Sequence, residues 1–320
     1  MTLAAGAPSN KAFRPAKLRK GNSVKRRQAR WAYVFLSPAI LLFLLTVIYP
    51  MLRSLQYSFF KWPLGNAKKT FLGFDNYKKL LFDDDLFHTS VKNTLHFTIL
   101  TVIPTIAIAL GLALLLNSKR LRGRGVFRTI YFIPVVTSLV AVSFVWRWLL
   151  EPTFGLVNTA LGWIGIDGPG WLADPSWALQ GVMGMTIWRD VGYYMVIFLA
   201  GLQTIPKEIH EAASIDGANA WQRFRRVTFP LLNPSIVLAA IIGVIYGLQL
   251  FTQVYVMTGT PSKLPGGPLN STTSVVLFIV QQAFRPLEMG YSSAAAILLF
   301  FLIMIVTLVQ LKVVQRKFEY

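Results

Sequence analysis

Six long apolar segments, separated by polar ones, set the pattern of this 320-residue chain. They are predicted at about residues 31–49, 94–116, 127–149, 180–202, 235–255 and 291–313. Each segment approaches the ~20 residues that an apolar helix needs to cross a bilayer. Because a helix satisfies its own backbone hydrogen bonds in lipid, the pattern predicts an all-α membrane protein with six transmembrane helices. Pro50 is expected to end the first helix.

Composition and charge support this class and assign an orientation. The chain is 54% hydrophobic and 14% charged, with a net charge of +19. Of its 32 Lys and Arg residues, 21 lie in the two terminal tails and in the loops after the second and fourth segments. Because basic loops stay on the cytoplasmic side, both termini are predicted to be cytoplasmic. The tail at residues 1–30 has nine basic residues and no acid, which favours contact with anionic membrane lipid.

Several function classes are disfavoured by what the sequence lacks. It has no cysteine, and its three histidines are scattered, so no metal site is expected. It has no G-x-x-x-x-G-K-[ST] motif, so no nucleotide cradle is expected in this chain. Its basic residues belong to loops and tails rather than to a folded basic module, so no nucleic-acid partner is expected. About thirty polar residues precede the first apolar segment, which is therefore expected to stay as an anchor rather than be cleaved.

A polar insert at residues 206–234 interrupts the apolar pattern between the fourth and fifth segments. Its residues predict two short helices joined by a turn. Pro206 suits the first position of a helix, and Gly217 suits the position just after its end. Asn219 suits the N-cap of a second helix that Pro230 is expected to end. From these residues alone, the insert either docks on a cytoplasmic partner or packs on its own helix bundle.

The insert resembles the EAA loop of bacterial ABC-importer permeases. The stretch "EAASIDGANAWQRFRRVTFPLL" matches that loop in the spacing of five residues, with Val for Ile and Phe for Leu near its end. In the family, the loop fits a groove on a cytoplasmic ATPase subunit. The resemblance therefore implies that the matching residues couple this chain to an ATPase: Glu211, Ala212, Ala213, Gly217 and Pro230.

Further motifs resemble the carbohydrate-uptake subfamily of these permeases, on the maltose-type side. They are "FLGFDNY", "NT" at residues 93–94, "YFIPVV", "LAGLQTIP" and "GGP", and the resemblance covers about residues 30–318. One departure is that "GTPSKLP" separates Thr258 from the Gly-Gly-Pro. The resemblance implies a type I ABC-importer transmembrane domain at residues 31–318, located in the bacterial inner membrane. It also implies a second permease, an ATPase dimer that binds ATP and Mg, and an extracytoplasmic solute-binding protein.

Polar residues within the fourth and fifth segments are candidates for the substrate pathway, because such residues are costly at membrane depth. Sugars are bound by hydrogen bonds and by stacking on aromatic rings. An intramembrane ion pair with aromatic packing remains the alternative for these residues. The candidates are Trp188, Arg189, Asp190, Tyr193, Tyr246 and Gln249.

The sequence leaves three transport functions to compare. A sugar or oligosaccharide is the leading substrate, and a glycerol-phosphate-type permease is the first alternative because Arg189 could attract a phosphate. An ion-coupled secondary transporter is the second alternative, but Asp190 is the one acid at depth and no internal repeat is evident. In each case the chain is expected to be a transport subunit rather than an enzyme. The outer loops at residues 51–90 and 151–179 are candidate docking surfaces for a binding protein.

Overall fold

The computed structural model describes residues 21–63, 68–118, 121–259 and 264–314, with residues 21–27 and 313–314 described by backbone alone. Residues 1–20 of the predicted basic tail lie outside the described residues. Residues 260–263, which belong to the segment before the Gly-Gly-Pro, also lie outside them. The chain divides into two compact units, Met1–Arg53 and Ser54–Tyr320.

The N-terminal unit is helical throughout its described part, and the expectation that Pro50 ends the first helix is wrong. Helix α1 covers Gly21–Phe43, a π-helical turn covers Leu44–Ile48, and α2 covers Tyr49–Tyr57. In the π-helical turn the Tyr49 N–H bonds to the Leu44 carbonyl. Pro50 follows at the start of α2, where a residue without an N–H is tolerated.

The larger unit begins with a small two-stranded motif, which is followed by the first of its long helices. Strands β1 (Phe60–Lys61) and β2 (Thr70–Phe71) pair antiparallel, with Phe60 opposite Phe71. Helix α3 (Asp75–Lys78) and a π-helical turn lead into α4 (Asp85–Asn117). The carboxylate of Asp84 accepts a hydrogen bond from the Phe87 N–H at 2.8 Å, which caps α4.

The remaining helices alternate between long membrane-type helices and short connecting ones. They are α5 (Arg124–Val136), α6 (Leu139–Leu149), α7 (Leu156–Trp163), α8 (Ala178–Thr204), α9 (Lys207–Ile215), α10 (Ala220–Arg223), α11 (Phe229–Leu231), α12 (Asn233–Leu248), α13 (Thr252–Thr258), α14 (Val275–Phe284) and α15 (Met289–Val314).

The all-α membrane architecture is confirmed, although the spans are less regular than predicted. Among the described residues, three helices are long and apolar enough to cross a membrane: Gln28–Tyr57, Asp85–Asn117 and Met289–Lys312. Two bent helix pairs raise this number to five if each pair is one span. The fourth predicted segment forms α8, whose 27 residues reach about 40 Å but are too polar to pass the same test. Because α8 is the most enclosed long helix, its polar side chains need not face lipid.

Two predicted segments are broken rather than continuous. The third, at residues 127–149, forms α5 and α6, which are bent by 98° at Thr137 and Ser138. The fifth, at residues 235–255, forms α12, which ends at Leu248, followed by a separate α13. Hydrophobic periodicity could not show these breaks because both halves of each segment are apolar.

Helix α8 lies at the centre of the larger unit and packs on α4, α5 and α12. Its buried Met195 and Phe198 share one core cluster with Ala109 and Ala113 of α4. The backbone of α5 approaches α8 so closely that a Cβ at Gly192 would lie 1.9 Å from the Tyr131 carbonyl oxygen. The absence of a side chain at Gly192 therefore fixes the distance between α5 and α8.

The Asn-Thr motif in α4 holds the Gly-Gly-Pro loop. The Asn93 amide donates to the Asn270 and Thr273 carbonyls at 3.0 and 3.1 Å. At the start of the same loop, the Gly266 N–H donates to the Thr258 hydroxyl at 3.0 Å. These bonds tie together motifs that lie far apart in the sequence, so the contact between Thr258 and the glycines is present despite the intervening residues.

We expect Gly192→Ala to lower the free energy of unfolding by about 1–3 kcal/mol, because the new methyl group collides with backbone and forces α5 away from α8. Gly184→Ala is the matched control on the same helix, where a Cβ would meet nothing within 4 Å. The control should be neutral or stabilising by about 0.5–1 kcal/mol, since Ala favours a helix over Gly. Thermal unfolding of both purified variants in detergent measures the difference, and equal midpoints would contradict the proposed role of Gly192.

Candidate functional site

A cavity of about 400 Å³ opens between α5, α6, α8 and the break that follows α12. It gathers five of the six predicted pathway residues into one place. A further two, Tyr194 and Gln253, are polar neighbours of those residues in sequence. The lining consists of Val135, Leu139, Arg189, Asp190, Tyr193, Tyr194, Tyr246, Gln249, Phe251, Thr252 and Gln253.

The break between α12 and α13 supplies one wall of this cavity. Gln249, Leu250 and Phe251 are not helical, and Phe251 has φ −146° and ψ −66°. The Leu250 carbonyl, freed from the helix, accepts a hydrogen bond from the Ser274 hydroxyl. Non-helical backbone at membrane depth is tolerated where it lines a cavity or is buried in protein. The break therefore turns a predicted straight segment into one wall of the cavity.

Arg189 and Asp190 form an ion pair at the side of the cavity. The Arg189 Nη1 and Asp190 Oδ1 atoms are 2.7 Å apart, and each side chain is about four-fifths buried. Adjacent residues on a helix point in different directions, so the long arginine side chain folds back to reach its neighbour. The pair cancels its own charge, while the Arg189 Nε atom is buried with no hydrogen-bond partner in the described part of the chain.

Aromatic rings and one amide complete the polar lining. Tyr193 and Tyr194 meet edge to face with their ring centroids 5.3 Å apart. Tyr246 lines the cavity and is 65% exposed, so it supplies an accessible aromatic side chain. Gln249 lies at the end of α12 and offers both a donor and an acceptor. The arrangement combines stacking surfaces with hydrogen-bonding groups and carries no net charge.

Trp188 is the one predicted pathway residue that does not line the cavity. Its ring packs against Trp146 of α6, with centroids 5.6 Å apart, and it is 49% exposed. Trp188 directly precedes Arg189 on α8, and its side chain therefore points towards α6 rather than into the cavity. Its role in the pathway stays a prediction.

Sequence reasoning missed four lining residues, which are brought in by the two breaks. Val135 and Leu139 flank the bend between α5 and α6, and Phe251 and Thr252 flank the break after α12. The sequence does contain an indication of the first bend, which is Pro134, because proline disturbs the helix around it. No comparable signal marks the second break, because no proline occurs between Gln249 and Thr252.

The insert at residues 206–234 forms two short helices in the described structure, as predicted. Helix α9 ends with Gly217 at φ +75°, and the Ala218 N–H bonds to the Ala213 carbonyl at 3.0 Å, which is the Schellman pattern. Asn219 and Gln222 form a capping box at the start of α10, with both bonds 2.9 Å long. The Arg223 guanidinium donates to the Ser214 hydroxyl and thereby ties α10 to α9.

Two details of the insert differ from prediction. Pro206 is the N-cap of α9 rather than its first helical residue. Pro230 does not end the second helix, which passes through a π-helical turn at Phe224–Thr228 and continues to Leu231. The wider π turn accommodates a proline that a regular α-helix would exclude.

Three of the five residues that matched the EAA pattern lie on the exposed surface of the insert, and Ala213 and Pro230 are half-buried. Glu211, Ala212 and Gly217 are exposed. Next to them, the apolar side chains of Ile215 and Trp221 are 87% and 65% exposed. Exposed apolar residues beside a carboxylate form a surface suited to a protein partner.

The loop at residues 151–179, which is predicted to be an outer loop, is held by specific hydrogen bonds. The Glu151 carboxylate accepts bonds from the Thr153 hydroxyl and from two backbone N–H groups, and these bonds lower the pKa of Glu151. The Trp171 indole N–H donates to the Asn158 side-chain oxygen at 2.7 Å. An ordered loop with exposed Trp163 at its side remains a candidate docking surface.

The sequence matches a known family and solved structures over most of its length. The model of the family described as "Binding-protein-dependent transport system inner membrane component" matches residues 97–320. A crystal structure of a bacterial ABC transporter for import of the acidic polysaccharide alginate contains a chain with a TM-score of 0.79 and 25% identity. The match covers 93% of this chain and 100% of that one.

Two curated relatives are similar along nearly the whole chain. The lactose transport system permease protein LacF of Rhizobium radiobacter is 39% identical over 292 residues, which cover 90% of this chain and 94% of the relative. The sulfoquinovosyl glycerol transport system permease protein SmoG of Agrobacterium fabrum is 37% identical over 287 residues, which cover 89% and 91%.

The ion pair in the cavity gives a stability prediction. Asp190→Asn leaves the Arg189 charge partly buried without its partner, and we expect the free energy of unfolding to fall by about 1–3 kcal/mol. The double variant Arg189→Met with Asp190→Leu removes both charges and should recover most of this loss. Thermal unfolding in detergent measures both. A double variant less stable than Asp190→Asn would show that the pair is not the source of the effect.

Proposed function

The chain belongs to the family of inner membrane components of binding-protein-dependent transport systems, and from this membership we propose that it is the permease subunit of an ABC importer for a neutral sugar or oligosaccharide. It is a multi-pass membrane protein. Both relatives are named as permeases for sugars. LacF is named for lactose, which is neutral and supports this proposal, whereas SmoG is named for sulfoquinovosyl glycerol, whose sulfonate group is anionic.

The charge balance of the cavity is the observation that carries the neutral substrate. Arg189 and Asp190 are the two charged residues in the lining, and they neutralise each other at 2.7 Å. An anion would have to compete with Asp190 for the guanidinium, and a cation would have to compete with Arg189 for the carboxylate. A neutral sugar instead meets tyrosine rings and the Gln249 amide without disrupting the pair.

An acidic sugar is the second candidate. The Arg189 Nε atom has no partner within the described residues, so it retains one donor for an anion. The structurally similar transporter imports the acidic polysaccharide alginate. The paired Asp190 stands against this candidate, since its negative charge faces the same cavity.

The energy for uptake is proposed to come from partner subunits. In this scheme two cytoplasmic ATPase subunits bind ATP with Mg, and a second permease completes the pathway. An extracytoplasmic solute-binding protein delivers the sugar, and a transporter similar to this chain is described with its periplasmic protein. The exposed face of α9, with Glu211, Ala212 and Ile215 and with the half-buried Ala213 beside them, is the proposed contact with the ATPase.

The proposed topology places the insert and both termini in the cytoplasm. Its basis is the excess of Lys and Arg in the tails and in the loops after the second and fourth segments. The outer loops at residues 51–90 and 151–179 then face the solute-binding protein.

We expect Gln249→Ala to raise the KM for sugar about tenfold, because one hydrogen bond in the cavity is lost. The assembled complex, reconstituted in vesicles with its binding protein, is tested with lactose, maltose and raffinose and with the acidic sugar digalacturonate. Gln180→Ala is the matched control, because Gln180 is an exposed glutamine on α8 outside the cavity. An unchanged KM in Gln249→Ala would remove this residue from the pathway.

The same vesicles separate the remaining alternatives. Uptake of digalacturonate in preference to the three neutral sugars would favour the acidic substrate. Uptake without ATP that collapses when the ion gradient is dissipated would favour a secondary transporter.

We expect Glu211→Lys to leave the complex assembled but to reduce ATP-driven uptake at least tenfold, because the charge reversal disturbs the contact of α9 with the ATPase. ATP hydrolysis and uptake are measured in the same vesicles. Glu208→Lys makes the same charge change in the first turn of α9, where it also loses the favourable helix-dipole interaction. Its effect therefore reports the cost of charge reversal to the helix itself, and equal losses of uptake in both variants would contradict a specific role for Glu211.

A further inference from the structure

A second, smaller cavity lies next to the substrate cavity and is called the annex here. Its volume is about 30 Å³. Asp190, Tyr194, Tyr246 and Gln253 line both cavities, so the annex adjoins the substrate cavity through these four residues. The other side of the annex is formed by α4 and by Gly243 and Gly247 of α12.

The annex has an unpartnered hydroxyl group in its wall. Thr101 lines the annex and is 4% exposed, and its Oγ1 atom has no hydrogen-bond partner within the described residues. A buried hydroxyl without a partner is costly, because it has given up its bonds to water. An additional polar group in the annex would remove that cost.

Neighbouring threonines show that Thr101 differs from the pattern of its helix. The hydroxyls of Thr94, Thr98 and Thr105 each donate to the backbone carbonyl four residues earlier, at 2.6–2.7 Å. Thr101 makes no such bond in the structure. Its hydroxyl is therefore available to a group in the annex.

The size of the annex limits what can occupy it. A volume of about 30 Å³ exceeds the ~10–15 Å³ that a cavity needs to hold one water, and a water needs two to four polar partners. Thr101, Asp190, Tyr194 and Gln253 supply such partners from the lining. Gly243 and Gly247 leave the space open, since a Cβ at Gly243 would lie 3.2 Å from the Tyr194 hydroxyl oxygen.

We propose that the annex is a site for one hydroxyl oxygen, and that Thr101 determines sugar affinity through it. In the substrate-free transporter the oxygen belongs to a water molecule. In the loaded transporter it belongs either to that water, which then bridges the sugar to α4, or to a hydroxyl group of the sugar itself. This inference rests on the proposed sugar transport, and it adds a residue of α4 to a pathway otherwise built from α5, α6, α8, α12 and the segment after it.

Thr101→Val removes the hydroxyl at nearly constant volume, and Thr101→Ser keeps it. The assembled complex is imaged by cryo-electron microscopy without sugar and with saturating lactose, maltose or raffinose, whichever the wild type takes up fastest. We expect density for one oxygen beside Thr101 in the wild type and Thr101→Ser but not in Thr101→Val. With sugar, density continuous with the ligand identifies a sugar hydroxyl, and separate density identifies a water.

Uptake kinetics form the second arm. We expect Thr101→Val to raise the KM about fivefold to tenfold, with the maximal rate within about twofold of wild type, and Thr101→Ser to restore the KM. Thr98→Val is the matched control, because Thr98 is also buried on α4, its hydroxyl is already bonded, and it does not line the annex. A loss of packing alone would affect both valine variants alike.

An empty annex in the wild type would overturn the proposal. Density without any change in KM for Thr101→Val would overturn the link to sugar affinity. If the wild-type complex takes up none of the three sugars, the proposed substrate class fails, whereas the substrate-free maps still decide whether the annex holds an oxygen.

Discussion

The cost of an unsatisfied polar group at membrane depth is the constraint on which this structure depends. Most polar side chains in the central helices meet it locally, as when threonines of α4 donate to the carbonyl one turn earlier. Six buried side-chain atoms lack a hydrogen-bond partner within the described residues, and two of them are Arg189 Nε and Thr101 Oγ1. Both of these residues line the cavities beside α8, so each cavity has one donor that is available to a polar ligand.

Broken helices and close packing act together to create that place. Gly192 brings α5 against α8, and Gly247 brings α12 against Thr98 of α4. Because the helices are close together at these glycines, space for a ligand opens where the backbone turns away. The backbone turns away at the bend after Val136 and at the break after Leu248. The cavity is therefore a consequence of helix interruption within a tightly packed bundle.

The insert at residues 206–234 differs from the central helices, because local hydrogen bonds hold it and its apolar side chains are exposed. The capping box of Asn219 and Gln222, the Schellman turn at Gly217 and the Arg223–Ser214 bond give a fixed shape. Ile215 and Trp221 stay exposed on that shape. A rigid element can transmit a movement from a partner, whereas a flexible loop would absorb it. Leu232, at the end of this segment, shares a buried core cluster with Phe198 and Leu202 of α8, the helix that also lines the cavity.

The sequence by itself determined the membrane class, the approximate helix positions, the family resemblance and the local shape of the insert at residues 206–234, because hydropathy, capping residues and motif spacing are local properties. It also selected five residues that share one cavity, since polar residues within apolar segments stand out. Tertiary structure alone decided that Trp188 packs on Trp146 and that Phe251 and Thr252 join the lining. It also decided that Thr101 lacks a partner. Helix breaks between apolar halves and contacts between distant helices depend on packing, which no local pattern encodes.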